Sequence, residues 1–307
     1  RLDDPAHVQQ TISPATLFDL RDDQPPGTGE GEAGAGEAGL ETEAESEAEQ
    51  LYTLADVEAL PTLSEGDAQG ASAHMGGSLE VRGVLGEGGM GQVQLALQRS
   101  LRREVAVKRL REEPPSTKRQ RYARALLWEA RVMGALEHPN ITPIHELGLD
   151  ADGSPLLVMK RISGECWRRL LENPTHPMWA NLEASGRTRR DIHLDILGQL
   201  CNALYYAHSF GIVHRDIKPE NVMLGAFGEV YLVDWGTATR LPHAGASGVV
   251  GTPAYMAPEM AKDGPITTHT DVYLLGATLY DVLSGRPPHH APTVMASLWK
   301  ASVNEPP

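Results

Sequence analysis

The chain changes character once, near residue 79, and only the part that follows has the means to build a core. Residues 1–78 carry 17 acidic and 2 basic residues, whereas residues 79–307 carry 24 acidic and 25 basic ones. The formal net charge of −14 therefore belongs almost wholly to the first quarter of the chain. Gly27 to Gln50 is nearly all Gly, Glu, Ala, Ser and Thr. Such a stretch buries too little apolar surface to offset the entropy of ordering it. Residues 1–76 are expected to be a disordered acidic tail, with Leu51 to Leu60 as an amphipathic patch that forms a transient helix at most. Residues 77–307 are expected to be the folded domain.

Composition excludes several classes of function. No basic stripe stands out along the chain, so nucleic acid is not an expected partner. Cys166 and Cys201 are the only cysteines, too few for a disulfide framework or a metal cluster. There is no basic-then-apolar leader and no apolar run of bilayer length. A cytoplasmic setting is expected, with no membrane segment in the residues given. Arg1 and the Asn304–Pro307 end both read as interior to a longer chain, and the last helices of the larger lobe are expected to be absent. That expectation leaves Glu259 without a cationic partner and the 307-residue piece unstable on its own.

From Leu79 onward, strands come first and helices later. Leu79 to Leu85 alternates like a strand, and Val93, Leu95 and Leu97 alternate after a glycine-rich turn. Val105 to Lys108 is a third strand. Tyr122, Leu126, Ala130 and Met133 recur at helical spacing within Lys118–Leu136. Two more strands follow, around Ile144–Leu149 and Leu156–Met159. Ile192, Ile196, Leu200, Ala203 and Ala207 make one face of a long helix, and Asp271 to Leu283 reads as a buried helix. The order implies an α+β fold with two lobes, a small antiparallel sheet with one helix (77–162) and a larger, mainly helical lobe (163–307).

Three constellations carry chemistry. Gly86-Glu87-Gly88-Gly89-Met90-Gly91 is a glycine loop between two strands, where missing Cβ atoms let backbone amides approach phosphate oxygens. A strand after the loop argues against a dinucleotide site, which needs a helix there. Lys108 points inward from the third strand and Glu129 points inward from the following helix, so the two are expected to pair. His214-Arg215-Asp216-Ile217-Lys218-Pro219-Glu220-Asn221, followed by Asp234-Trp235-Gly236, supplies a carboxylate, a cation, an amide and a second carboxylate in one short region. Phosphoryl transfer uses these groups in these roles: Asp216 orients a hydroxyl, Lys218 steadies the γ-phosphate, and Asn221 and Asp234 bind Mg²⁺.

Together with His138-Pro139-Asn140-Ile141 and Gly251 to Glu259, these motifs make residues 77–307 resemble the bacterial branch of the eukaryotic-like Ser/Thr protein kinases. The resemblance implies ATP with Mg²⁺, or Mn²⁺, bound between the lobes, and protein Ser or Thr hydroxyls as acceptors. Leu85 to Gly91, Val93, Ala106, Lys108, Met159, Lys160 and Ile162 would surround the nucleotide. Thr252 would help Asp216 and Lys218 hold the acceptor hydroxyl, and Asp271 would brace the catalytic loop. Arg215 implies control by a phosphate on Ser247, Thr237 or Thr239, and a homodimer would allow phosphorylation in trans. Met133, Ile144, Trp235 and His214 would stack as a spine, with Trp235 in place of the family's usual Phe. His289-His290 is expected to be a solvated loop. The alternative function is a nucleotide-binding pseudokinase or scaffold.

Overall fold

The computed structural model describes residues 60–63, 79–88, 91–110, 116–184, 186–243 and 248–304. The chain divides into two compact units at Ser163/Gly164. The first is built on a five-stranded antiparallel sheet. Its strands are β1 (Leu79–Glu87), β2 (Gly91–Gln98), β3 (Arg103–Leu110), β4 (Ile144–Leu149) and β5 (Pro155–Lys160), in the order β1-β2-β3-β5-β4. The helix α1 (Ser116–Ala135) lies between β3 and β4 in sequence and packs against β3, β4 and β5. Its inward face is the expected one: Tyr122, Leu126, Ala130 and Met133 are all buried.

Alternation along β3 separates the two faces of this sheet. Val105 and Val107 join Leu79, Ala96, Leu156 and Val158 in one apolar cluster. Ala106 and Lys108 take the other face, where register pairs them with Leu95, Val93, Met159 and Leu157. The cluster has a further member from the region expected to be disordered. Leu63 is fully buried in it (0% exposed). Residues 61–63 run parallel to the edge strand β4 as a strap, with the Leu63 amide donating to the Leu149 carbonyl at 2.8 Å and the Leu149 amide to the Pro61 carbonyl at 2.9 Å. Gly148 makes the room, because a Cβ there would meet Leu63 and the Pro61 carbonyl at 2.5–2.7 Å. An open sheet edge and a bare apolar face both reward such a strap. The amphipathic patch at 51–60 lies outside the described residues apart from Leu60.

The second unit contains α2 (Trp167–Glu172), α3 (Pro177–Glu183), α4 (Arg189–Ser209), α5 (Pro258–Ala261), α6 (Thr268–Ser284) and α7 (Val294–Val303). It also holds two small sheets, β6 (Gly164–Cys166) with β8 (Val222–Gly225) and β9 (Val230–Leu232), and β7 (Ile212–Val213) with β10 (Thr239–Arg240). The long helix α4 begins with a capping box, Thr188 and Asp191 exchanging hydrogen bonds, and buries the five apolar residues its spacing selects. Trp167 donates its indole N–H to His193 Nδ1 on α4 at 3.1 Å, and Trp179 meets the same ring edge-on.

Two expectations need correction here. The helix at 268–284 is not buried all round, since Val272 and Leu283 are mostly exposed. His289 is not solvated: it is 1% exposed, its amide donates to the Ala254 carbonyl at 3.0 Å, and its Nε2 lies 2.9 Å from the Tyr273 hydroxyl. Only His290 faces solvent. Glu259 accepts from the neutral hydroxyl of Thr270 at 2.8 Å, a partner the sequence did not point to. Met295, Trp299 and Val303, spaced by four along α7, are all more than half exposed. No helix among the described residues is long and apolar enough to cross a membrane.

Candidate active site

In the first unit the expected pair is formed. Lys108 Nζ on β3 donates to both carboxylate oxygens of Glu129 on α1 at 2.7 Å, and Glu129 is buried. A buried carboxylate needs such a partner, since an unpaired charge away from water is strongly disfavoured. Val93, Ala106 and Met159 share the Lys108 face of the sheet by register. Ala106 is buried, while Val93, Met159, Lys160 and Ile162 are half-buried. The glycine loop is open: Leu85, Gly86, Glu87 and Gly88 are exposed, and Gly89 and Met90 lie outside the described residues. Gly91 is required by packing, because a Cβ there would run into the Arg109 carbonyl. Gly86 is not, since its Cβ would meet nothing within 4 Å.

In the second unit the octet at 214–221 forms a loop held from several sides. Asp271, fully buried on α6, accepts the backbone N–H of His214 at Oδ2 and that of Arg215 at Oδ1, both at 2.9 Å. His208 Nε2 reaches the same carboxylate at 2.8 Å. Thr278 Oγ1 donates to the Ile217 carbonyl at 3.1 Å and Thr237 Oγ1 to the His214 carbonyl at 2.9 Å. His214 Nδ1 accepts the Asp216 amide at 3.2 Å, and its ring meets Trp235 edge-on at 4.6 Å. Burial holds the His214 pKa below the usual imidazole value, against the pull of Asp271, Asp216 and Asp234. A neutral ring keeps Nδ1 able to accept. The larger indole of Trp235 is accommodated by donating Nε1–H to the Leu232 carbonyl at 3.2 Å.

This frame gathers four groups. Asp216 Oδ1 accepts from Thr252 Oγ1 at 2.6 Å, and the same hydroxyl accepts from Lys218 Nζ at 2.6 Å. Lys218 Nζ also lies 2.9 Å from Asp216 Oδ2. Asn221 Nδ2 donates to the Asp216 carbonyl at 2.8 Å and to its Oδ2 at 2.9 Å. Both amide protons are thereby used within the loop, and Oδ1 is the atom left to meet a cation. The Asn221 carbonyl accepts the amide of Val233 at 2.9 Å, one residue before Asp234. Asp234 itself adopts a left-handed backbone, φ +62°, a conformation that few non-glycine residues hold without local compensation. One amide oxygen and one carboxylate fit Mg²⁺, a hard ion that keeps water and phosphate oxygens as its other ligands. Among the described residues no cluster of three or more His, Cys, Asp or Glu offers a self-sufficient metal cage.

A model of the protein kinase domain matches residues 79–304. The chain belongs to the protein kinase family. Among its relatives, it is 38% identical over 221 residues to the DNA damage-responsive serine/threonine-protein kinase RqkA of Deinococcus radiodurans, covering 70% of this chain and 31% of that protein. It is 34% identical over 229 residues to the serine/threonine-protein kinase PknB of Mycobacterium tuberculosis, covering 70% and 34%. It is 33% identical over 221 residues to the serine/threonine-protein kinase PknD of Chlamydia abortus, covering 66% and 23%. The chain thus spans between 23% and 34% of the length of these relatives.

The kinase domain contains a buried cluster for which the sequence offers no signal. Arg168 on α2 donates Nε to Glu220 Oε1 at 2.9 Å, and its Nη2 reaches both the Tyr255 hydroxyl (2.5 Å) and Asp281 on α6. Tyr255 in turn donates to Asp281 Oδ2 at 2.6 Å. Burial first, then the nearby carboxylates, drive the Tyr255 pKa far up, so the phenol stays protonated and keeps donating. The four residues are 26 to 113 positions apart, and they tie the 214–221 loop, through Glu220, to two helices and the 251–259 loop.

The candidate phosphosites separate clearly. Thr237 and Thr239 are both buried, and the Thr237 hydroxyl is spent on the His214 carbonyl of the 214–221 loop, so neither is presented to solvent. Ser247 lies outside the described residues. Arg215, in a left-handed conformation (φ +67°), donates Nε to the Thr237 carbonyl at 2.6 Å and lines a small cavity with His243, Gly248, Val250 and Asp263.

Proposed function

We propose that the protein is an ATP-dependent serine/threonine protein kinase. The observation that carries this reading is the Asp216–Thr252–Lys218 cluster. It presents a carboxylate and an ammonium within 2.6 Å of a single side-chain hydroxyl, the arrangement an acceptor hydroxyl also needs. In the reaction, Asp216 orients the Ser or Thr hydroxyl of a protein substrate and receives its proton. The oxygen forms a bond to the γ-phosphorus while the bond to the β-phosphate oxygen breaks, leaving ADP. Lys218 lies with Asp216 and neutralises charge on the moving phosphoryl group, and Thr252 bonds to both side chains and fixes their orientation. Lys108, oriented by Glu129, holds the nucleotide phosphates, and Leu85 to Gly91, Val93, Ala106, Met159, Lys160 and Ile162 shape the nucleotide surface. Asn221 and Asp234 hold Mg²⁺ or Mn²⁺, which shields the phosphate oxygens when bound.

The open space beside Gly86 supports a glycine loop shaped for a ligand rather than for packing. Arg215 beside its cavity supports control by a phosphate, with Ser247 as the site. Phosphorylation in trans between two copies and a cytoplasmic setting, where ATP and Mg²⁺ are supplied, complete this reading. The test is transfer of labelled γ-phosphate from ATP to protein by the full chain. Asp216→Asn is expected to lower the rate by about 10³-fold, the scale of lost general-base assistance. Equal transfer by both proteins, or label on tyrosine alone, would overturn the reading.

A further inference from the structure

The two elements that carry the Lys108–Glu129 pair are tied to one turn. That turn joins β4 to β5 and closes on itself: Asp150 Oδ1 accepts the backbone N–H groups of Asp152 at 2.9 Å and Ser154 at 2.8 Å. The other oxygen, Asp150 Oδ2, meets Arg109 Nη2 at 3.5 Å, and Arg109 follows Lys108 directly on β3. Ser154 Oγ accepts from Arg119 Nη2 at 2.7 Å and Nε at 3.3 Å, at the start of α1, the helix that carries Glu129. Asp150 and Ser154 are both buried. Loss of either tie would strand a buried polar group, which is what makes the turn a firm anchor for strand and helix alike.

The strap holds this turn from the other end. Leu149, the last residue of β4 and the neighbour of Asp150, has both its backbone amide and its carbonyl bonded to residues 61–63. Leu63 is fully buried in one cluster with Val105 and Val107 of β3, and Val107 directly precedes Lys108. The strap therefore bears on β3 twice, through its leucine from the apolar face of the sheet and through Asp150 from the turn. A three-residue contact at a sheet edge opens more readily than the sheet it covers. We propose that the Pro61–Leu63 strap is a positioning element for Lys108: seated along β4, it holds the Asp150–Ser154 turn on Arg109 and Arg119 and so keeps β3 and α1 at the separation at which Lys108 meets Glu129. The proposal rests on the reading of Lys108 as the residue that holds the nucleotide phosphates. Release of the strap weakens nucleotide binding and leaves the Asp216 loop, which belongs to the other unit, as it is.

The experiment displaces the strap from both sides in the full chain. Leu63→Ala removes its buried side chain, and Gly148→Ala puts a methyl where the Leu63 side chain and the Pro61 carbonyl lie. The Kd of ATP with Mg²⁺ is measured by calorimetric titration and kcat by γ-phosphate transfer, both well below each variant's melting midpoint. Each variant is expected to raise Kd by about five- to tenfold, the lower range of coupling between two sites, with little change in kcat at saturating ATP. In a Glu129→Gln background Leu63→Ala is expected to add little, because changes that act through one contact are not additive. Should the strap variants misfold, Arg119→Gln at the exposed start of α1 cuts the same tie outside the core and should raise Kd by the same factor. An unchanged Kd in both strap variants, with only the melting midpoint lowered, would overturn the proposal. So would full additivity with Glu129→Gln, and so would an Arg119→Gln chain with an unaltered Kd. If Glu129→Gln itself leaves Kd unchanged, the reading of Lys108 fails and the proposal falls with it. If Glu129→Gln raises Kd and the strap variants do not, the proposal fails alone.

Discussion

Asp216 and Lys108 are both charged groups at the centre of the proposed chemistry, yet the structure holds them very differently. Asp216 stands in a loop whose backbone is gripped by a buried carboxylate, two threonine hydroxyls and an imidazole, and whose side chain meets Lys218, Thr252 and Asn221. Lys108 is held by the Glu129 carboxylate of one helix, beside a glycine loop in which Gly91 packs on the Arg109 carbonyl while Gly86 packs against nothing. The first region is over-determined, so single losses cost stability. The second rests on an ion pair across a helix–sheet contact, so a shift of α1 is enough to change it. Pre-organisation suits the side of the reaction where a proton and a metal must be placed. An adjustable pair suits the side where a nucleotide enters and leaves.

The contrast is broken most directly at Lys108. Lys108→Met is expected to lower phosphate transfer by about 10²–10³-fold, the usual loss for one group that stabilises developing charge. Thermal stability should fall as well, by about 3 kcal/mol, because the buried Glu129 carboxylate loses this partner. Lys108→Arg should not restore the rate, because a planar fork does not replace a compact ammonium. On the other side, Asp271→Asn replaces an oxygen that accepts a catalytic-loop amide, and should cost about 3 kcal/mol in chemical denaturation. If Asp271→Asn changes only the rate and leaves the denaturation midpoint untouched, the loop is not held as described.

The glycine loop sharpens the same comparison. Gly91→Ala is expected to cost about 2 kcal/mol through overpacking against the Arg109 carbonyl. Gly86→Ala should stay within about 0.5 kcal/mol, as expected where the new methyl meets nothing. Paired melting curves decide between them, and equal losses would mean that packing, not a ligand, accounts for the open glycine.

A smaller effect is expected from His193 in the second unit. Burial, and then the charge of Arg189, hold its pKa below the usual 6.5. The folded chain therefore disfavours the proton that the unfolded chain takes up. This contribution to stability is fully present above about pH 6.5 and is lost as the pH falls toward the depressed folded value. His193→Phe should cost about 1 kcal/mol at neutral pH by removing the acceptor for the Trp167 indole. It should also flatten the loss of stability on acidification, measured as melting temperature against pH.

Local features were read from the sequence with little error. The faces of α1 and α4 followed from spacing alone, and the Lys108–Glu129 pair followed from two inward positions on neighbouring elements. The 214–221 octet was legible because its groups act over a few bonds of one loop. What escaped reading depends on distant partners. Arg168 meets Glu220 across 52 residues and Asp281 across 113, and neither spacing carries a pattern. His289 was assigned to solvent because adjacent histidines in a Pro-rich loop look polar; its burial comes from Tyr273 and the Ala254 carbonyl. Thr237 looked like a phosphosite until its hydroxyl was found to hold the catalytic loop. Leu63 was lost in an acidic tail because one leucine gives no periodicity.

By itself, then, the sequence determined the chemistry: which carboxylates, cations and amides are available, in what order, and on which strands, helices and loops. Those properties are set by residue type and by periods of two and three to four residues, which short stretches already contain. Only the tertiary structure decided which hydroxyls are free and which are structural, which histidine is buried, and where Leu63 is pinned. These outcomes rest on burial and on contacts between residues far apart in the chain, and no local stretch encodes a partner it does not contain.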